Sequence, residues 1–270
     1  MIRLSGVVIT LNEESRVGRC LDSLGEVCDE LVVVDSGSTD RTREICQARG
    51  ARVLVRPFDG FTAQKNFALD QAAHDHVLSL DADEWLSPEL RASILAAKAD
   101  WQADGHDFNR LNFYGDRPIR SCGWYPDAKI RLWDRRRGRW SGGLVHETVV
   151  LDAGARQAHL AGDLLHAAHQ EAGQLLAKVQ VYSALWAQEH AGRRISTPGL
   201  FLKGLAAFLR SYLLQGGILD GYEGLVISVS NANHTFYKYA RLLEANRAVA
   251  RADGPAGGPA TAEGEDHRAG

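Results

Sequence analysis

Two carboxylates, Asp81 and Asp83, close the apolar run VLSLDADEW at residues 77–85. Acids two apart at the end of a strand can hold a divalent cation together with the phosphates of a nucleotide, because hard oxygen ligands suit Mg²⁺ and Mn²⁺. An acidic pair in such a place also serves simply to solvate a loop or cap a helix, so its meaning depends on what else reaches it.

Two more polar segments follow apolar runs in the same way, Thr10-Leu11-Asn12-Glu13-Glu14 and Asp35-Ser36-Gly37-Ser38-Thr39-Asp40. In open α/β sheets ligands bind beyond the carboxyl ends of the strands, so all three segments are expected to converge there. Asp35 can accept from a uracil or a ribose, while Ser38 or Thr39 is suited to capping the helix that follows.

The elements that must position these groups are legible as a pattern. Residues 4–10, 30–35, 51–56 and 76–81 are short, β-branched apolar runs separated by stretches of helical spacing, with Val17, Leu21 and Leu24 on one face of the first and Thr42, Ile45 and Cys46 on one face of the second. Such an alternation predicts a βαβαβαβ unit with a parallel sheet buried on both faces. Ser87-Pro88 marks a helix start running to Lys98, and residues 107–115 and 129–134 alternate like strands around the loop SCGWYPDA. The basic tract DRRRGRW at 134–140 suits either a solvated hairpin tip or an anionic contact. From residue 170 the spacing is helical, with a last helix ending near Asn246 and a tail, 250–270, that lacks the apolar content to order itself.

At 270 residues the chain has length for a catalytic domain, placed at 1–168, and a helical region at 169–249. Lys and Arg number 31 against 34 for Asp and Glu, a formal charge of −3 that argues against nucleic acid as a partner. The four cysteines show no C-x-x-C spacing and the first residues do not read as a secretory signal, so a cytoplasmic location is expected. No run approaches the ~18–20 apolar residues that span a bilayer. The stretch from Pro198, with Leu200, Phe201, Leu202, Leu205, Phe208, Leu209, Tyr212, Leu213 and Leu214 beside Lys203 and Arg210, fits a helix lying on the cytoplasmic membrane surface, or one packed on the catalytic core.

The segments ITLNEE, VVVDSGSTDRT, FTAQKNFAL and LSLDADEWL, in this order and spacing, resemble the inverting family 2 glycosyltransferases of GT-A fold. GWYPDAKIRLW, GLVHE, LLHAAH, LLAKVQVYS and GGILDGYEG are similar to bacterial lipopolysaccharide inner-core β-1,4-glucosyltransferases, and the match spans about residues 4–245. The resemblance implies an α/β, GT-A nucleotide-sugar-binding fold with a mostly parallel central sheet and a C-terminal helical extension. It also implies Mg²⁺ or Mn²⁺, a UDP-sugar donor, and transfer of a hexose, glucose from UDP-glucose, onto an inner-core heptose of lipopolysaccharide.

By the same resemblance Asp83 binds the metal directly, Asp81 contacts ribose or metal through water, Asp35 meets uracil, and Thr10, Asn12 and Glu13 line the nucleotide pocket. Lys65 neutralises a phosphate or the D-x-D acids, or is a surface lysine. Inversion needs a base that deprotonates the acceptor hydroxyl, and Glu147 is the candidate with Asp127 its rival. His166 is placed to complete metal coordination, ahead of His146 and His169, although a lone histidine also serves structure. Gly123 and Trp124 approach the donor sugar, Trp124 and Tyr125 stack on sugars or pack in the core, and Arg131 reaches the diphosphate or faces solvent. A family 2 enzyme acting on a polyprenyl phosphate or capsular glycan keeps the same motifs. A non-catalytic binding module would keep Asp35 and Asp83 but not need Glu147. A D-x-D phosphohydrolase is disfavoured, because it needs its nucleophilic aspartate after the first strand, where Thr10 stands.

Overall fold

The computed structural model describes residues 1–142, 147–169, 171–193 and 195–252, without the side chains of residues 169 and 249–252. Residues 253–270, most of the tail, and Val145 and His146 therefore lie outside the described residues, as does the His169 side chain.

The chain opens with β1 (Leu4–Thr10), α1 (Val17–Gly25), β2 (Glu30–Asp35), α2 (Thr42–Ala48), β3 (Arg52–Val55), α3 (Phe61–Gln71) and β4 (His76–Asp81). Strands β3, β2, β1 and β4 lie side by side in parallel. The alternation of their side chains divides the core between the two faces of the sheet. Leu4, Val8, Val33, Leu78 and Leu80 meet Val17, Leu21 and Leu24 of α1, whereas Val7, Val32, Val34 and Val77 meet Ala68 and Leu69 of α3. Fully burying each such aliphatic side chain contributes ~1.5–3 kcal/mol, which is why these strands tolerate almost no polar residue before their carboxyl ends.

Then follow β5 (Glu84–Leu86), α4 (Pro88–Ala99), β6 (Gly105–Tyr114), β7 (Arg117–Pro118), β8 (Ala128–Asp134), β9 (Gly138–Ser141), β10 (Thr148–Leu151) and β11 (Gln157–His169). The sheet continues past β4 through β8, β6 and β11 to β5, with antiparallel pairings at β4–β8, β8–β6 and β11–β5 and a parallel one at β6–β11. Ser87 caps α4 as its position before Pro88 predicts, accepting from the Leu90 N–H. The DRRRGRW tract forms the β8–β9 turn, where Arg135 and Arg136 pair with Asp75, Arg136 with Asp134 and Arg137 with Asp104.

The C-terminal part holds α5 (Ala172–Glu189), α6 (Thr197–Leu209) and α7 (Gly221–Ala252), with α5 and α6 both packed on α7. Leu175 of α5 and Ile227 of α7 join Tyr114, Ile119 and Cys122, which fastens the helices to the sheet beside β6. Two expectations need correction here. The helix from Pro198 does not run through Leu214 but widens into a π turn at Arg210–Leu214 and then a 3-10 turn at Gly217–Asp220, and the last helix continues beyond Asn246 to Ala252.

Candidate active site

Asp81 ends β4 and Asp83 sits in the tight turn that leads directly into β5. That turn is held from below by Glu84, which is fully buried, accepts from the Asp81 N–H at 2.9 Å and from Arg131 at 3.1 Å. Arg131 is also buried, and its Nη2 lies 3.1 Å from the Asp81 carboxylate. It thus forms the floor of the site instead of facing solvent. Lys65 is buried too, not a surface lysine: its Nζ is 2.8 Å from Asp81 and 2.9 Å from Glu147, and 4.4 Å from the centre of the Trp140 ring. Burial acts to raise the Asp81 pKa, but the Lys65 ammonium and the Arg131 guanidinium outweigh it and hold this carboxyl well below the usual carboxylate range.

Asp83 faces His166 of β11, with Oδ2 3.4 Å from Nε2, and Arg16 at 3.8 Å. Asn112 Nδ2 donates to the Trp124 carbonyl, so Asn112 Oδ1 accepts from His166 Nδ1 at 2.7 Å and leaves Nε2 aimed at the carboxylate. A proton on Nε2 closes that gap, and so would a hard cation; a histidine donating its other N–H to a fixed acceptor is the usual setting of a metal ligand. Burial works to raise Asp83, but the hydrogen bond and charge of His166 outweigh it and hold it below its ordinary value. Among the described residues no three His, Cys, Asp or Glu side chains form a ready-made metal cage.

A second group gathers at the ends of β1 and β2. Asp35 is fully buried, and its carboxylate accepts from the N–H groups of Gly37 and Ser38 at 3.0 and 2.9 Å and from the Ser38 hydroxyl. Asn12, in the left-handed region at φ 54°, donates from its N–H to Ser38 Oγ and accepts from the Thr39 N–H, locking the two loops together. Neither Ser38 nor Thr39 caps α2, whose N-cap position is Arg41; the preceding Asp40 accepts from the Thr42 N–H at 3.0 Å. Thr10 Oγ1 is buried without a hydrogen-bond partner, directly beside Asp35 in the β1–β2 register. Glu13 pairs with Arg16 at 2.7 Å, and Arg16 links this group to Asp83. Burial, joined by the nearby Asp83 and Asp40 charges, pushes Glu13 up despite Arg16.

Between the sheet and the C-terminal helices lies a cavity of about 530 Å³. Asp81, Glu147, His166, Arg110, Lys129 and Arg131 line it, together with Lys178 and Tyr182 of α5 and His234 of α7. Asp127 does not stand free: Arg110 Nη2 reaches one oxygen at 2.9 Å and Lys129 Nζ the other at 2.8 Å. Trp124 lines this cavity and also a second one of about 500 Å³ against α6, which Gly123 borders. Gly123, at φ +75°, has the end of the Gln215 side chain 2.9 Å from where a Cβ would lie. Sequence reasoning missed Glu84, Arg110, Lys129 and Lys178. Glu84 had a signal, as the third acid of DADE; the other three are brought in by long-range topology.

A mostly parallel central sheet with acids at its strand ends and appended C-terminal helices matches the GT-A fold of glycosyltransferases. The family described as Glycosyl transferase family 2 matches residues 5–149, and the chain belongs to it. The lipopolysaccharide core biosynthesis glycosyltransferase LpsC of Rhizobium meliloti is 32% identical over 270 residues, covering 92% of this chain and 94% of that protein. An uncharacterized glycosyltransferase of Rickettsia typhi is 30% identical over 263 residues, covering 90% of this chain and 88% of the relative. Among solved structures, the mannosyltransferase PcManGT from Pyrobaculum calidifontis, in complex with GDP-Man and Mn²⁺, superposes with a TM-score of 0.52 at 16% identity over 90% of this chain and 87% of that one, a likeness of fold.

Proposed function

We propose that the chain is an inverting, metal-dependent hexosyltransferase that moves glucose from UDP-glucose onto an inner-core heptose of lipopolysaccharide. The observation that carries this is the bridge Asp81–Lys65–Glu147, which sets a candidate base one ammonium away from the D-x-D acids at the mouth of a glycan-sized cavity. The extended similarity to LpsC supports the acceptor class.

Glu147 takes the proton of the acceptor hydroxyl as that oxygen attacks the anomeric carbon from the side opposite the leaving diphosphate. Lys65 holds the Glu147 carboxylate in register with Asp81, and both oxygens of Asp127 are already committed to cations, so Glu147 is the better placed of the two acids. Asp83 and His166 would hold a hard divalent cation, which would supply charge neutralisation to the leaving diphosphate. Thr10, Asn12, Glu13 and Asp35 form the nucleotide end; since the Asp35 carboxylate is enclosed by its own loop, it shapes that loop, and uracil is read by the backbone it holds.

No described helix is long and apolar enough to cross a membrane. Contact with the cytoplasmic membrane falls to α6 and the two turns after it, where Leu214 is 84% and Leu219 82% exposed and Lys203 and Arg210 belong to the same segment. Exposed apolar surface with cations in the same segment suits an anionic bilayer, at which a glycolipid acceptor is presented.

The test is incubation of purified protein with a panel of UDP-sugars, Mn²⁺ or Mg²⁺, and a truncated lipopolysaccharide core, followed by mass spectrometry. One hexose added from UDP-glucose, lost with chelator and in Asp83→Ala, is the expected result. Transfer only to a polyprenyl phosphate or a capsular glycan would replace the acceptor, and no transfer from any sugar nucleotide would overturn the proposal.

A further inference from the structure

The cavity between sheet and helices is lined by more cations than carboxylates, Arg110, Lys129, Arg131 and Lys178 against Asp81 and Glu147. Asp81 pairs with Lys65 and Arg131, and Glu147 with Lys65. Arg110 and Lys129 share Asp127, and Arg110 also lies 3.5 Å from Glu84, which pairs with Arg131. Among the described residues no carboxylate lies within ion-pair distance of Lys178; Asp83 acts on it only through the field of its charge, and its ammonium lies 5.7 Å from the centre of the Tyr182 ring.

We infer that these cavity-lining cations form an anion-binding subsite, with Lys178 as its principal contact and Arg110 and Lys129 opposite it, which takes an acidic substituent, phosphate or carboxylate, of the acceptor glycan. The inference rests on the cavity being the acceptor side of a glycosyltransferase. Three points support it. Lys178 stands on α5 across the cavity from β6 and β8, which carry Arg110 and Lys129, so an anion between the walls would contact both. Desolvation, then the Arg110 charge, lower the Lys178 pKa against a smaller opposing effect of the Asp83 charge, and a bound anion would favour the ammonium further. Ser230, Asn231 and His234 of α7 also line the cavity; burial and then the Lys238 ammonium lower His234, leaving it a neutral hydrogen-bonding partner for sugar hydroxyls.

The experiment compares wild type with Lys178→Met and Lys178→Arg on three forms of a core oligosaccharide acceptor: untreated, stripped of phosphate, and with its carboxylates amidated. For the untreated acceptor, Lys178→Met should raise KM about 10- to 100-fold, the weight of a hydrogen bond to a charged group, and Lys178→Arg should restore most of it. Wild type should lose the same factor on one of the two neutralised acceptors, which identifies the acidic group, while Lys178→Met no longer distinguishes charged from neutral. Equal KM for wild type and Lys178→Met on every acceptor, or equal use of charged and neutral acceptors by wild type, would overturn the inference and leave the transferase assignment standing. Failure of wild type to glycosylate any acceptor would count against the assignment instead. The subsite is then read by titrating inorganic phosphate into protein saturated with UDP and Mn²⁺: binding lost in Lys178→Met upholds it, and no binding to wild type overturns it.

Discussion

Lys65 and Glu147, 82 residues apart in the chain, meet at 2.9 Å, and the same ammonium touches Asp81 at 2.8 Å. Because Lys65 is 2% exposed, removing its charge leaves two carboxylates facing each other with little water to screen them. Breaking a buried pair by deleting one partner costs ~3–5 kcal/mol. Lys65→Met is therefore expected to lower the denaturation midpoint by that order and to reduce turnover at least ~100-fold through loss of the positioned base. Denaturant titration with initial-rate measurements checks both, and full stability in the variant would show that the bridge carries no weight.

Gly162 sits at φ +96°, in the irregular stretch of β11 between His159 and Asp163, and a Cβ there would lie 2.3 Å from the Leu90 backbone nitrogen. The helix start of α4 cannot retreat like a flexible side chain. Gly162→Ala should cost more than the ~1–3 kcal/mol of backbone strain alone and lower Tm by roughly 5 °C or more. Calorimetry showing an unchanged Tm would mean that α4 moves freely away from β11.

The parallel half of the sheet was legible because near-continuous runs of Val, Ile and Leu admit few structures other than a strand buried on both faces. β11 was harder to read. Its polar residues, His159, Asp163 and His166, serve ion pairs and the site, so they break the apolar rhythm. The π turn after α6 was hidden for the opposite reason: the apolar spacing through Leu214 continues undisturbed, and the widening is imposed by packing of Ser211 against Ser228 and Asn231 of α7. Of the site, the acids at strand ends were legible as local motifs. Burial of Lys65 and Arg131 was not, because a cation enters a core only when distant carboxylates meet it.

Asp29 accepts from the Leu4 N–H at 2.8 Å and pairs with Lys98 at 2.7 Å, joining the start of β1 to α4. Burial acts to raise its pKa, but the Lys98 and Leu4 hydrogen bonds outweigh it and lower the folded value beneath the unfolded one. Its stabilisation is then complete above the ordinary carboxylate value of ~3.9 and is lost as pH falls through the depressed folded value. Asp29→Asn should be less stable than wild type at neutral pH, with the gap closing in strong acid. A gap that stays constant as the solution is acidified would contradict the assignment of charge to this contact.

The apolar face around Leu214 and Leu219 should bind vesicles in proportion to their anionic lipid content, each nearby cation contributing ~1 kcal/mol. Replacing both leucines by glutamate should leave the protein in the supernatant on co-sedimentation. Equal sedimentation of wild type and the double variant would remove the membrane from the account.

Glu147 as the base is tested most directly by single-turnover transfer in Glu147→Gln, with Asp127→Asn alongside. Glu147→Gln should keep UDP-sugar affinity and lose transfer by ~10²–10⁴, the usual weight of a general base, whereas Asp127→Asn should lose much less. Transfer at the wild-type rate in Glu147→Gln would contradict the central claim.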